Sequence, residues 1–267
     1  MLDLQQLTAD VCRIATEAGY FLKEERKSFR RDRVEEKHAH DYVSYVDKES
    51  EKRVVSALST LLPEAGFITE EGSATYQDEP YYWVIDPLDG TTNYIHDEAP
   101  YCVCIALRNR TELLLGVVYE VCRDECFYAW KGGKAYMNAK EIHVSDIKDA
   151  KDAFVFTELP YNYNQYKQTA LHLIDKLYGK VGGIRMNGSA AAAICYVAMG
   201  RFDAWAEAFL GKWDYSAAAL IAQEAGGKVT DFYGNDYFID GHHIIVTNKY
   251  LHPLFQKLLA EVPPLDM

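Results

Sequence analysis

What the sequence lacks narrows its function before any motif is considered. Six cysteines are present (Cys12, Cys102, Cys104, Cys122, Cys126 and Cys195), yet no pair has CxxC spacing. The thiols therefore read as small buried hydrophobes in a reduced compartment, the cytoplasm. No apolar run approaches the length that spans a bilayer, so no membrane partner is expected. Met1 to Ala9 shows neither a basic start nor an apolar core, so no secretory signal is expected either. Positive charge is scarce: 28 Lys and Arg stand against 40 Asp and Glu, a net charge of -12. Such a chain is a poor general binder of nucleic acid. Its one basic run, Lys27 to Arg33, is flanked by Glu24, Glu25, Glu35 and Glu36 and reads as a solvated helix end and loop. Internal repeats, low-complexity linkers, a Gly-x-Ser-x-Gly motif and a Walker loop are all missing. An acidic balance does not exclude an anionic substrate, because a bound metal reverses the local sign.

The rest is ordinary globular material, 49% hydrophobic and 25% charged, in 267 residues. That length suits one large domain, expected here as 1–267 with an N-terminal half, 1–150, and a C-terminal half, 151–267. Residues 2–29 carry apolar Leu7, Val11, Ile14, Ala18 and Phe21 at spacings of three and four, which predicts an amphipathic helix. The polar stretch to Ala39 is expected to be a loop or mobile arm. A second helix is expected over 47–62, ended by Pro63. Buried strands are expected at 65–69 and 81–85. Antiparallel strands follow at 101–107, 113–119 and 125–130, the last leading into the turn Lys131-Gly132-Gly133-Lys134. The second half alternates: strand 154–157, helix 163–177, a small-residue helix 189–199, strand 204–207, helix 213–225 stopped by Gly226-Gly227, strand 244–247, and helix 250–261 before Pro263-Pro264. Helices and sheets in layers, with a site where loops meet, is the expected result.

The chemistry concentrates in acids in unusual settings. In Trp83-Val84-Ile85-Asp86-Pro87-Leu88-Asp89-Gly90-Thr91-Thr92-Asn93 a buried strand runs into a turn. Pro87 has no N–H to give to a ladder, so the strand is expected to stop there. Asp89 follows Asp86 at three residues, which lets a turn aim both carboxylates at one point. Gly90 admits backbone conformations closed to other residues, and its N–H and that of Thr91 are candidates to meet an anion at a helix start. Two carboxylates on one turn repel unless a cation lies between them, and hard oxygen ligands favour magnesium. Singly, each acid has a structural reading. Asp-Pro-x-Asp-Gly makes a surface turn with a helix cap. Asp47 suits a helix cap and Asp214 the first turn of a helix. Glu70 and Glu71 suit a solvated strand end, and Glu207, among apolar neighbours, needs a partner if buried.

Together the segments carry a resemblance. Asp86-Pro87-Leu88-Asp89-Gly90-Thr91-Thr92-Asn93 resembles the first signature of the inositol monophosphatases. Trp213-Asp214-Tyr215-Ser216-Ala217-Ala218, followed by Glu224-Ala225-Gly226-Gly227, resembles their second. Phe67-Ile68-Thr69-Glu70-Glu71, Asp41-Tyr42-Val43-Ser44-Tyr45-Val46-Asp47 and Gly188-Ser189-Ala190-Ala191 resemble the family's acidic strand end, upstream acidic segment and substrate loop. Order and separation agree over nearly the whole chain.

The resemblance implies an α/β fold, the α-β-α-β-α sandwich with buried helices between mixed sheets. It implies a homodimer and a magnesium-dependent, lithium-sensitive hydrolysis of a small phosphorylated polyol, inositol 1-phosphate first among them. Two or three magnesium ions are implied. Glu70, Asp86, Asp89 and the carbonyl of Leu88 hold one; Asp86, Asp89 and Asp214 hold a second; Glu70 shares a weaker third. Thr91, beside Asp47, polarises the attacking water with Glu70. The N–H groups of Gly90 and Thr91 grip the phosphate. Gly188, Ser189 and Ala190 form the substrate loop, and Asp89, Ala190, Glu207 and Asp214 face the alcohol. Other substrates stay open, namely nucleotide 3'-phosphates such as phosphoadenosine phosphate and sugar bisphosphates. So does another class, a regulatory binding protein. Ser216 and Ala218 stand where the family often has Ala and then Gly, and both remain small. Lys37 meets the family's upstream basic residue only loosely, while His38, His40 and His96 are expected to have surface or packing roles.

Overall fold

The structure, a computed structural model, describes residues 2–38, 41–73, 78–160 and 164–262. His40, Tyr163 and Pro263-Pro264 lie outside the described residues, as do the side chains of Lys37, His38 and Asp41.

Helix α1 (Leu4–Arg26) opens on Asp3, whose carboxylate accepts the Gln6 N–H, and buries Leu7, Val11, Ile14, Ala15, Ala18 and Leu22 along one stripe. A hairpin follows, β1 (Val34–His38) against β2 (Asp41–Ser44). Helix α2 (Tyr45–Leu61) opens on Ser44 in a capping box with Asp47. Both helices pack on one face of a seven-stranded sheet. Its strands run in chain order: β3 (Ala65–Thr69), β4 (Tyr81–Asp89), β5 (Cys102–Arg108), β6 (Leu113–Glu120), β7 (Glu125–Trp130), β8 (Ala135–Met137) and β9 (Lys140–Ile142). β3 and β4 are parallel and the other pairs antiparallel. The short helix α3 (Thr91–His96) leaves the end of β4.

A five-stranded sheet is built from β10 (Phe154–Thr157), β11 (Gly183–Arg185), β12 (Ala204–Ala208), β13 (Lys228–Thr230) and β14 (His243–Thr247), in the order β11-β10-β12-β14-β13. It is parallel over its first three strands and antiparallel after them. Helix α4 (Asn164–Leu177) and helix α7 (His252–Leu259) cover its outer face. Helices α5 (Ala190–Ala198) and α6 (Lys212–Glu224) fill the space between the two sheets. All nine residues of α5 are buried, which is why its sequence is apolar on every side. The layers are α-β-α-β-α, the expected sandwich.

Two expectations are corrected. The polar stretch before Ala39 is not a loop throughout: Arg31–Arg33 forms a 3-10 turn and the next residues pair as β1. Backbone pairing, Val34 opposite Ser44, supplies what its side chains do not. Pro87 does not end β4 either. The strand continues to Asp89 across a register shift, Asp86 pairing with Cys104 and Asp89 with Cys102. Two residues of β4, Pro87 and Leu88, therefore face one of β5, Val103, which is a bulge, and a bulge is where a sheet tolerates proline. β8, β9, β11 and β13, of three residues each, are too short to show a period of two.

Close packing at the centre depends on Gly116 of β6. A Cβ built there stands 2.3 Å from the carbonyl oxygen of Ala217 on α6. Backbone cannot swing aside as a side chain can, so the second signature helix sits where glycine lets it. Gly116→Ala is expected to lower stability by about 2 kcal/mol, the scale of core overpacking. Denaturant melts measure this, and a midpoint equal to wild type contradicts the close approach.

Candidate active site

The bulge in β4 places the acids. Cys102 and Cys104 lie two apart on β5 and share a face of the sheet. Their partners Asp89 and Asp86 therefore share that face too, although a spacing of three in an unbroken strand puts side chains on opposite faces. The shared face looks toward the interior helices, since Cys102 and Cys104 belong to the same core cluster as α5 and α6. Pro87 and Leu88 are the residues the bulge accommodates.

Each carboxylate is then held by a neighbour. Asp89 meets the start of α5: its Oδ2 accepts from Ser189 Oγ at 2.5 Å and from the Ala191 N–H at 2.9 Å. Ser189 is also the N-cap of α5 and accepts the Ala192 N–H. Asp86 Oδ1 accepts the Leu88 N–H at 2.9 Å, within the bulge. Asp214, in the first turn of α6, accepts the Gly211 N–H at 2.7 Å. Asp47 caps α2 through the Ser44 N–H and hydroxyl, and its other oxygen lies 3.0 Å from Thr91 Oγ1. Its capping role and its contact with Thr91 coexist, one on each oxygen. Thr91 Oγ1 lies equally close, 3.0 Å, to the Leu88 carbonyl. Gly90 supports this turn with φ 89° at the start of α3; a Cβ there stands 2.9 Å from the Pro100 carbonyl.

One cavity of about 190 Å³ collects these groups. Glu70, Asp86, Leu88, Asp89, Gly90, Thr91, Gly188, Ser189, Ala190, Glu207 and Asp214 all line it. Asp47, buried behind the wall, reaches it through Thr91. No Lys, Arg or His is among the described residues that line it.

Negative charge crowded in this way is unfavourable without a counter-ion. Burial first, then the charges of Glu70, Asp89 and Asp214, push the Asp86 carboxyl well above its usual range. Burial raises Asp89 to about 6 despite its hydrogen bonds to Ser189 and the α5 backbone. Burial, then Glu158, Asp214 and Asp89, raise Glu207. Burial also raises Asp47, against the hydrogen bonds from Ser44 and Thr91. Among the described residues no three His, Cys, Asp or Glu side chains form a ready-made metal cage. Like-charged groups held on separate donors are not expected to converge before a cation draws them in.

Three contributors escaped the sequence reading. Glu51, buried one turn beyond Asp47 on α2, accepts the N–H groups of Glu71 and Ser73 at 2.8 Å each and so fixes the segment after Glu70. Ser50 donates to the Pro87 carbonyl at 3.3 Å. Asp47, Ser50 and Glu51 are spaced to share one helix face, and that spacing was the available signal. Glu158, just after β10, is buried and accepts the N–H groups of Asn187 at 2.7 Å and Gly188 at 3.4 Å, pinning the segment that leads into α5. Burial lifts its carboxyl to about 7. Nothing in its local sequence marks it.

With the geometry in view, comparison with known proteins is informative. A sequence model of the inositol monophosphatase family matches residues 3–263. The chain belongs to the inositol monophosphatase family. A protein of Pseudomonas aeruginosa named Nus factor SuhB is 39% identical over 236 residues, covering 86% of each chain. An inositol-1-monophosphatase of Mesorhizobium japonicum is 32% identical, covering 83% of this chain and 84% of its own. The solved structure of an inositol monophosphatase from Anabaena (Nostoc) sp. PCC 7120 superposes with a TM-score of 0.87 at 31% identity, covering 99% of both chains. Family membership accounts for the agreement of motif order over nearly the whole chain.

The carboxyl shifts have a consequence for stability. Groups whose folded pKa is raised stabilise the fold at low pH and lose that contribution as pH rises through the folded value. For Asp89 and Glu158 the loss falls between their ordinary range and about 6 to 7. A divalent cation on the ionised acids opposes the loss. Buried His252, lowered to about 4 by burial, acts in the other direction with or without a cation and cancels in a difference. The thermal midpoint in magnesium minus that in chelator is therefore expected to widen by at least about 4 °C from pH 5.5 to pH 7.5. A difference that stays constant contradicts this electrostatic account.

Proposed function

We propose that this chain is a magnesium-dependent phosphatase of small phosphate monoesters, with inositol 1-phosphate as its leading substrate. One observation carries the reading: Glu70, Asp86, Asp89 and Asp214 line one cavity with the Thr91 hydroxyl, and no cationic side chain is among the described residues lining it. Carboxylate and carbonyl oxygens are the donors a hard divalent cation takes, so the residues fit magnesium. We assign Glu70, Asp86, Asp89, Asp214 and the carbonyl of Leu88 to hold two or three such ions. When bound they supply Lewis acidity toward the phosphoryl oxygens and the attacking water.

The chain's own groups do the rest. Thr91 directs its O–H toward Asp47, which leaves a lone pair to accept a hydrogen bond from the attacking water, and Glu70 is the carboxylate that takes up the water's proton. The N–H groups of Gly90 and Thr91 hold the phosphoryl group. Ser189 and the Ala191 N–H keep Asp89 in place, while Glu158 keeps Gly188 against the cavity. Glu207 receives a hydroxyl of the alcohol, which compensates its burial. No thiol competes as nucleophile, since burial pushes Cys102 and Cys104 far above neutral pH. A regulatory binding role is the second reading, and the relatives named Nus factor SuhB favour it. The retained acids support turnover alongside any such role.

Purified protein is expected to release phosphate from inositol 1-phosphate with magnesium or manganese. Calcium is expected to serve poorly, because its larger and looser coordination misplaces the water. Asp89→Asn keeps the shape and removes one shared charge; turnover is expected to fall at least about a hundredfold with the circular dichroism spectrum unchanged. Full activity in chelator, or near-normal turnover in the variant, contradicts the proposal.

A further inference from the structure

Phe209 stands one residue beyond β12 with φ 68°, in the left-handed region. A bulky L side chain rarely adopts that conformation, and glycine does so without strain. The turn is tied down on both sides of the backbone: the Leu210 N–H donates to the His242 carbonyl at 3.0 Å, and His242 Nδ1 lies 2.9 Å from the Leu210 carbonyl. Behind the ring of Phe209 stands the buried ring of Tyr166 on α4, centroid to centroid 5.2 Å at 34°. Yet Phe209 remains 40% exposed. A residue kept for the core buries its ring. A strained backbone that holds a large, partly exposed ring at the edge of a cavity points to function instead.

The ring borders the catalytic cavity, two residues past Glu207. Leu159, 46% exposed, and Pro160 border it as well. The cavity's acids are buried or half-buried, so they form its floor, and the exposed apolar groups form its mouth. Its volume, about 190 Å³, is below the roughly 300 Å³ at which sites begin to enclose a drug-sized ligand. A phosphoryl group and a small alcohol fit inside, and a larger alcohol extends along a lining that includes Leu159, Pro160 and Phe209. Those side chains offer no hydrogen bond to a hydroxyl, so a polyol gains nothing from them. They offer an apolar surface and an aromatic face, which suit a flat ring.

We propose that Phe209 is a specificity-determining residue: with Leu159 and Pro160 it forms an apolar shelf that stacks against a planar aromatic group on the leaving alcohol. Among alcohols too large for the cavity itself, those favoured at this mouth carry such a group, while a small polyol is bound inside. The inference rests on the phosphatase reading above and names a substrate class for the same site.

The test compares naphthyl phosphate with glycerol 2-phosphate, both with magnesium, in wild type, Phe209→Gly and Phe209→Tyr. Glycine suits the left-handed backbone, so that variant is expected to melt no lower than wild type. In Phe209→Gly, kcat/KM for naphthyl phosphate is expected to fall about tenfold, through KM rather than kcat. For glycerol 2-phosphate it is expected to stay within about twofold. Phe209→Tyr, which keeps the ring, is expected to keep the wild-type ratio. Equal changes on both substrates, no change on either, or a loss confined to kcat overturns the role of the ring while the phosphatase reading stands. If wild type hydrolyses neither ester with magnesium, the phosphatase reading fails, and this inference falls with it.

Discussion

Asp86 and Asp89 face the same side of the seven-stranded sheet because β4 carries one residue more than its partner strand between them. This crowding of like charge is the constraint on which the site depends. It forces both carboxylates into a buried cavity already bordered by Glu70 and Asp214. In a low-dielectric interior such a group is tolerated only if its members stay protonated, are held by donors, or share a cation. The structure displays the second device, donors from Ser189, Ala191, Leu88 and Gly211, and favours the first, since burial pushes the carboxyls of Asp86 and Asp89 upward. The proposed chemistry uses the third.

The scaffold around this point is arranged to keep it rigid. α2 presents Asp47, Ser50 and Glu51 to Thr91, the Pro87 carbonyl and the segment after Glu70, so one helix steadies three parts of the cavity. α5 delivers its N-terminal donors to Asp89, and α6 delivers Asp214. Both helices lie between the sheets, where small residues let backbones approach, as Gly116 does under Ala217. A cavity walled by the interior helices and by strand ends from both halves of the chain holds its donors in place better than one built on loops alone.

Much of this was legible in the residues. The long elements follow from apolar spacing, as with Leu7, Val11 and Ile14 on α1, and from helix stops such as Gly226-Gly227. All but one of the expected site residues line one cavity, and Asp47 reaches it through Thr91. Those residues were picked out together through a family resemblance. Taken one at a time, an Asp at a helix start or a Glu at a strand end reads as structural. What was not legible depends on pairing across the chain. Pro87 reads as a strand stop because its missing N–H is local, whereas the bulge that accommodates it exists only opposite β5. Glu158 looks like any acid after a strand until the Asn187 N–H is brought to it by the fold. Phe209 carries no sign of its left-handed backbone, since the turn is imposed by contacts with His242. The strands of three residues offer too little alternation to be seen at all.

The central claim is that crowded, partly protonated acids at the β4 bulge give up their protons to a divalent cation. Calorimetric titration of the chelator-treated protein with magnesium at pH 6.5, repeated in buffers of different ionisation enthalpy, measures this directly. The account predicts saturable binding accompanied by proton release, and loss of both in Asp86→Asn. Binding without proton release, or equal binding in the variant, would contradict it.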